Sequence, residues 1–327
     1  MNLFTKTAVS AALATTFLSA GVQAESVKVY GKLNVSVQSQ DAAASDQTAI
    51  QSNASRLGVK GNFDLGNGLT AIYQIEYEVD TGSESKENFK ARNQFVGLTG
   101  NFGQVTVGRQ DTMLKVSQGK VDQFNDLAGD LKTLFKGENR LNQTLNYVSP
   151  KFADIAQVGV TYVADGDADQ KVNGMNEKVG GLSSTLMFGD AGLKKKSYYA
   201  SVAYDSTVKA YDIIRATGHV KVGALKLGAM VQQQNKHETF SDSIKVPATD
   251  KQSGYLVSAA YSITEALAVK TQYQNMQNGN LADLEALSFG ADYQLAKTTK
   301  LYGFYTKRDN VAAKNDNVFG LGIEQKF

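Results

Sequence analysis

The 327-residue chain carries 34 basic and 32 acidic side chains and no cysteine. A balance this close to neutral, without a basic cluster, excludes nucleic-acid binding, and the missing thiols exclude a disulfide framework and thiol chemistry. Two prolines against thirty glycines, fifteen tyrosines and fifteen phenylalanines suit many ladder-paired strands joined by tight turns.

The first residues read as an export signal. Lys6 supplies the positive region, Ala8 to Leu18 the short apolar stretch, and Val22-Gln23-Ala24 a small-residue cleavage site before Glu25. The apolar stretch is too short for a spanning helix, which needs about 20 residues. The expected division is a signal peptide at residues 1–24 and one β-barrel domain at residues 25–327.

Period-two alternation then recurs along the chain. Val27, Val29, Gly31, Leu33, Val35 and Val37 interleave with Lys28, Tyr30, Lys32, Asn34, Ser36 and Gln38. Ile214, Ala216, Gly218, Val220 and Val222 interleave with Arg215, Thr217, His219 and Lys221 in the same way. Such strands have one apolar and one polar face. Sixteen are predicted: 26–38, 53–63, 69–79, 91–100, 104–111, 139–149, 155–165 and 180–188 in the first half. The second half gives 197–206, 212–222, 225–234, 253–263, 267–275, 284–295, 300–307 and 317–327.

Short turns such as Asp64 to Gly68 and Thr264 to Ala266 alternate with longer polar loops near 39–52, 80–90, 112–138, 166–179, 235–251, 277–283 and 308–316. A membrane barrel has this rhythm, with turns at the periplasm and loops outside. An even strand number closes an antiparallel barrel and satisfies every backbone group in lipid. Phe63, Tyr147, Tyr204, Tyr261, Tyr293 and Phe327 fall at outward positions near strand ends, where interfacial girdles form. In the last strand Phe319, Leu321, Ile323 and Phe327 share one face, and the terminal ring suits a closing strand at the interface.

The third loop, Thr112 to Glu138, is far longer than a hairpin needs, and loops of that length are usually functional or disordered. It holds Asp122, Asp126, Asp130 and Glu138. Its apolar residues Val121, Phe124, Leu127, Leu131, Leu134 and Phe135 predict a short helical turn packed on a wall. Parity turns Arg56 inward opposite Leu57, Val59 and Phe63, Lys32 opposite Leu33, and Arg140 opposite Leu141, Leu145 and Tyr147. Arg92 opposes Phe95 less cleanly.

The mature chain resembles the general bacterial porins of Gram-negative outer membranes. The carrying segments are Val29-Tyr30-Gly31-Lys32-Leu33, Ser55-Arg56-Leu57-Gly58-Val59-Lys60-Gly61, Phe95-Val96-Gly97-Leu98 with Gly103, Val107-Gly108-Arg109 and the terminal Phe327. The resemblance implies a sixteen-stranded, all-β transmembrane barrel and a homotrimer. It further implies contact with outer-membrane lipid and lipopolysaccharide, and recognition by the barrel-assembly machinery through the strand ending in Phe327. It also implies a water-filled pore for ions and small hydrophilic solutes, narrowed by the third loop folded inward against basic residues. Arg56, Arg92, Arg140 and Lys32 match the basic cluster of that constriction, and Asp122, Asp126 and Asp130 are the candidate loop acids. The family often carries a Pro-Glu-Phe-Gly-Gly-Asp type stretch in this loop, where the chain reads Asp122-Gln123-Phe124-Asn125-Asp126-Leu127-Ala128-Gly129-Asp130. Which of these carboxylates reaches the constriction stays open. Gln325 also departs from the aromatic or apolar residue common in the family.

Passive diffusion requires no cofactor and no catalysis. An outer-membrane barrel enzyme generally needs a histidine base beside a nucleophile. His219 points inward and His237 lies at a loop edge, and neither has a nucleophile motif or metal-ligand spacing beside it. A substrate-specific pore for sugars or organic anions is the nearer alternative. A sugar pore wants a continuous inward aromatic track, and only Tyr30, Tyr199 and Tyr302 are candidates. Lys194-Lys195-Lys196 reads as a solvated turn or a contact for lipopolysaccharide phosphates.

Overall fold

The computed structural model describes residues 26–42, 45–82, 88–164, 180–237, 251–279, 281–311 and 314–327, and short strand segments at 171–172, 175–176, 239–241 and 244–246. The expected signal peptide lies outside the described residues, as do parts of the loops near 80–90, 166–179 and 235–251.

Sixteen barrel strands follow one another. They are β1 (Ser26–Ala42), β2 in two segments (Ser45–Ser52 and Arg56–Gly66), β3 (Leu69–Val79), β4 (Phe89–Gly100) and β5 (Gly103–Asp111). Next come β6 (Arg140–Val148), β7 (Ala156–Val163), β8 (Gly181–Gly189), β9 (Tyr198–Val208), β10 (Tyr211–Val222) and β11 (Leu225–Lys236). The last are β12 (Gln252–Ser262), β13 (Leu267–Asn278), β14 (Leu281–Ala296), β15 (Thr299–Val311) and β16 (Lys314–Lys326). Every neighbouring pair is antiparallel, and β16 returns to β1 with Lys32 opposite Lys326 and Ala42 opposite Asp316. Gly31 and Phe327 exchange backbone N–H···O bonds of 3.0 and 3.2 Å at the seam. The sheet therefore has no edge, the condition for β-structure in hydrocarbon.

The alternation read from sequence sorts residues in the sense opposite to a water-soluble fold. Val29, Leu33 and Val37 are exposed while Asn34 and Ser36 are buried. On β9, Val202 and Tyr204 are exposed and Asp205 between Tyr204 and Ser206 is fully buried. An apolar outer face and a polar enclosed face are what lipid outside and water inside select. Tyr147, Tyr204, Tyr261, Tyr293 and Phe327 are exposed on this outer face, and Phe63 is half-buried.

Three stretches read as loops are largely strand. β1 and β2 continue to Ala42 and from Ser45, β13 and β14 to Asn278 and from Leu281, and β15 and β16 to Val311 and from Lys314. Strands that rise above the lipid meet water on both faces. The apolar alternation then fades while the hydrogen-bonded ladder continues.

The Thr112–Glu138 segment lies on the enclosed polar face. It opens with α1 (Met113–Ser117) and carries a 3-10 turn at Leu131–Thr133. Val121, Leu131, Leu134 and Phe135 pack against Met230, Leu256, Met276 and Ala286 of β11 to β14. Phe124 packs with Tyr302, Phe304 and Val318 of the last two strands. Polar wall residues hold the backbone between these contacts. Ser258 Oγ donates to the Val121 carbonyl at 2.6 Å, and Gln272 and Gln274 both donate to the Gly129 carbonyl.

Candidate functional site

The segment crosses from the β9–β14 wall to β1 and β2, and Asp126 is its point of arrival. Lys32 and Arg56 are cross-strand partners in the β1–β2 register. Like charges placed directly opposite destabilise a ladder unless an anion is shared between them. Asp126 supplies that anion: its Oδ2 lies 3.0 Å from Lys32 Nζ and 2.8 Å from Arg56 Nη2. Glu324 of β16 adds a second contact to Lys32 at 3.4 Å. Burial opposes ionisation of Asp126, but Lys32 and Arg56 outweigh it and hold the carboxyl below its ordinary range.

Arg56 is aimed by a break in its strand. Between the two segments of β2, Ala54 adopts φ 52°, and Arg56 Nε donates to its carbonyl at 3.1 Å. Ser55 Oγ receives the Asn34 N–H at 2.9 Å, which pins the break to β1.

Arg92 and Arg140 do not bond to a loop acid. Arg92 Nε lies 2.6 Å from Glu76 Oε1 and Nη1 3.0 Å from Glu78 Oε2. Its unclear parity has a structural origin, a β-bulge between Ile75 and Tyr77 that leaves Arg92 and Asn93 outside the regular register. Arg140 Nε lies 3.0 Å from Asp111, which also pairs with Lys115 at 3.1 Å. A second bulge between Gly108 and Gln110 alters the register here. It buries Leu141 against Val163 and Val208, where simple alternation had placed it outward with Leu145 and Tyr147.

The other two loop acids fold back into their own segment. Asp122 accepts from the Phe124 and Leu131 N–H groups at 2.9 and 3.0 Å and from Gln272 Nε2 at 3.1 Å. Burial, with the negative charge of Asp130 added, pushes its carboxyl up to about 7 against those donors. Asp130 caps the 3-10 turn through the Lys132 N–H at 2.8 Å, receives the Asp126 N–H at 2.9 Å and pairs with Lys132 Nζ at 3.1 Å. Burial disfavours the Lys132 ammonium, yet Asp130 prevails and raises it.

A cavity of ≈ 480 Å³ on the outer side of the tip is lined by Arg56, Arg92, Arg140, Asp126 and Asp130. Another of ≈ 640 Å³ on the terminus side shares Arg56, Asn125 and Asp126 with it and adds Lys32 and Glu324. Lys32, Arg56, Arg92 and Arg140 thus line this pair of adjoining cavities together with Asp126 and Asp130 of the loop. Glu76, Glu78, Asp111 and Lys115 escaped sequence reasoning. Glu76 and Glu78 alternate with Ile75 and Tyr77, so their inward parity was legible on β3.

His219 Nε2 sits 3.1 Å from the Ala191 carbonyl, with its ring 4.8 Å from that of Tyr199. It braces the 190–197 turn. Lys194, Lys195 and Lys196 lie in this turn, at the barrel end that carries both termini. Asp190 collects the Gly192, Lys194 and Lys195 N–H groups there at 2.8, 2.8 and 2.6 Å. Those donors hold its carboxyl below the ordinary range. The termini and short turns mark the periplasmic end, so the triple lysine does not face lipopolysaccharide in the outer leaflet.

The model of the Gram-negative porin family matches residues 8–313. The chain is 25% identical over 328 residues to the major outer membrane protein P.IB of Neisseria meningitidis serogroup B, covering 92% of this chain and 94% of that one. It is 27% identical to outer membrane porin protein 32 of Delftia acidovorans, covering 94% and 89%. The anion-selective porin from Comamonas acidovorans shares the fold with a TM-score of 0.70 at 22% identity, covering 92% and 99%. A closed sixteen-stranded barrel, lipid-type outside and polar inside, agrees with these likenesses, and the chain belongs to the Gram-negative porin family, whose members are diffusion channels of the outer membrane.

Proposed function

We propose that the chain is a general diffusion porin whose bore is narrowest where Asp126 meets Lys32 and Arg56. The contact between the loop tip and the opposite wall carries this reading, because it places fixed charges of both signs where cavities on either side join. Ions and small hydrophilic solutes pass by trading hydration for contacts with these charges, and charge at a constriction biases the sign of the permeant ion. Arg92 and Arg140 extend the basic wall toward the outer side, each tempered by its own carboxylates. Asp122 and Asp130 act from within the loop by fixing its shape.

The charge balance on the terminus side of the tip favours anions, since Lys28, Lys32, Arg56, Lys60, Lys120 and Lys326 line that cavity against Glu76, Asp126 and Glu324. Residues 1–24 act as a cleaved export signal in this reading, and the protein assembles as a homotrimer through the family resemblance. Phe327 serves closure and delivery to the barrel-assembly machinery. The geometry does not favour a hydrolase: His219 is spent on a backbone carbonyl, and His237 Nε2 lies 2.9 Å from Asp212 with no nucleophile beside it among the described residues.

Refolded protein in a planar bilayer tests the proposal. Large ohmic openings that close in three equal steps are expected, with a reversal potential of anion-preferring sign under a salt gradient. A heat-modifiable barrel that never opens would overturn the channel.

A further inference from the structure

The β1–β2 register that opposes Lys32 to Arg56 also opposes Lys28 to Lys60, four residues nearer the periplasmic end. Both belong to the polar face, and direct cross-strand partners hold their Cβ atoms about 5 Å apart. The first pair shares Asp126. Among the described residues, the second pair shares no carboxylate.

The three acids lining the same ≈ 640 Å³ cavity are already engaged. Glu76 takes Arg92 Nε and the Tyr30 hydroxyl, the latter at 3.0 Å. Glu324 takes Lys32 and Lys326, and Asp126 takes Lys32 and Arg56. Lys120, carried by the loop, lines the cavity too and makes no ion pair among the described residues. Lys60 stands 5.0 Å from the centre of the Tyr30 ring, which steadies its stem without neutralising it.

The outer-side cavity differs. Each of its cations, Arg56, Arg92, Lys115, Lys132 and Arg140, has a carboxylate within 3.1 Å. Of these two cavities, the one at the periplasmic mouth holds the cations that have no paired carboxylate among the described residues. A like-charged pair held without a counter-charge costs stability, and a diffusing anion of two or more charges relieves that cost as Asp126 does one step higher.

We propose that Lys28 and Lys60, with Lys120 facing them across the mouth, bind a small polyvalent oxyanion of which inorganic phosphate is the simplest. The site lies at the end of the pore and rests on the channel reading above. It gives the channel a polarity: a charge-balanced outer chamber leads to a basic exit that gathers polyvalent anions.

The experiment is phosphate titration of single channels at low salt, from each chamber in turn. Phosphate added on the periplasmic side of the wild-type channel is expected to give concentration-dependent brief closures, and the same addition outside a weaker effect. Removing both charges in Lys28→Gln/Lys60→Gln is expected to raise the phosphate needed by about tenfold. Lys28→Arg/Lys60→Arg, which keeps the charges, is expected to retain the block and so separates lost binding from altered folding. Openings indifferent to phosphate, or a glutamine variant blocked like the wild type, overturn the site and leave the pore standing. Absence of openings in the wild type overturns the pore itself.

Discussion

Arg215 Nη1 lies 2.6 Å from Glu138 Oε1, and the arginine side chain is wholly buried. This pair joins the middle of β10 to the last residue of the long loop. The same guanidinium donates to the Lys136 carbonyl at 3.1 Å, the Leu114 carbonyl at 3.4 Å and Gln232 Oε1 at 2.7 Å. One residue therefore ties both stems of the loop to the wall, and its planar fork of donors is what allows it.

Arg215→Met strands Glu138 in a buried site, and breaking one partner of such a pair costs about 3–5 kcal/mol. The expected result is a lower denaturant midpoint for the refolded barrel and frequent spontaneous closures as the loop stems loosen. Arg215→Met/Glu138→Met is expected to recover part of the midpoint. Quiet channels from the single variant would assign the fastening elsewhere.

Asp126 stands between two cations, and in the proposed pore its charge and theirs set the sign of the passage. Asp126→Asn is expected to move the reversal potential under a potassium chloride gradient further toward chloride. Arg56→Glu is expected to move it toward potassium. A unit charge at 4 Å is worth about 1 kcal/mol in water, so the permeability ratio should change by about fivefold for Asp126→Asn, which removes one charge, and by about thirtyfold for Arg56→Glu, which reverses one. Identical reversal potentials in both variants would remove the tip from the conduction path.

Asp122 supplies a pH dependence. Burial, and then the charge of Asp130, push its carboxyl up to about 7. A raised carboxyl pKa disfavours the charged folded form, so the docked loop is most stable below the unfolded pKa and loses stability as pH rises toward about 7. Between pH 8 and pH 6 the site takes up a proton and the loop loses negative charge. Anion preference should rise and closures should become rarer over that interval, read from reversal potentials and open-channel noise. Asp122→Asn should flatten both curves. An unchanged pH profile in that variant assigns the effect to another group.

The seam tolerates no side chain at Gly31. A Cβ there meets the Arg56 carbonyl oxygen and the Phe327 ring, each at 2.5 Å. Gly31→Val is therefore expected to lower the yield of heat-modifiable barrel on refolding. The substitution displaces either the β1–β2 ladder or the terminal ring. Full yield would show that Phe327 rotates away at no cost.

The sequence by itself determined the barrel. A repeat of two residues, tight turns and the aromatic last residue are local properties, and sixteen alternating strands have few ways to bury their backbone in lipid. Lys32, Arg56 and the apolar residues of the loop were legible for the same reason, since parity assigns a face. Tertiary structure alone decided which charges meet. Asp122, Asp126 and Asp130 share one residue type within nine positions, and only the fold of the loop sends Asp126 to the wall and turns the others inward. Arg92, Arg140 and Leu141 sit beside bulges, where one extra residue shifts the ladder and parity no longer predicts direction. The opposition of Lys28 to Lys60 likewise appears only when two strands are placed in register. Periodicity fixes which face a residue takes along its strand, whereas partnership depends on register and on the path of a 27-residue loop from Thr112 to Glu138.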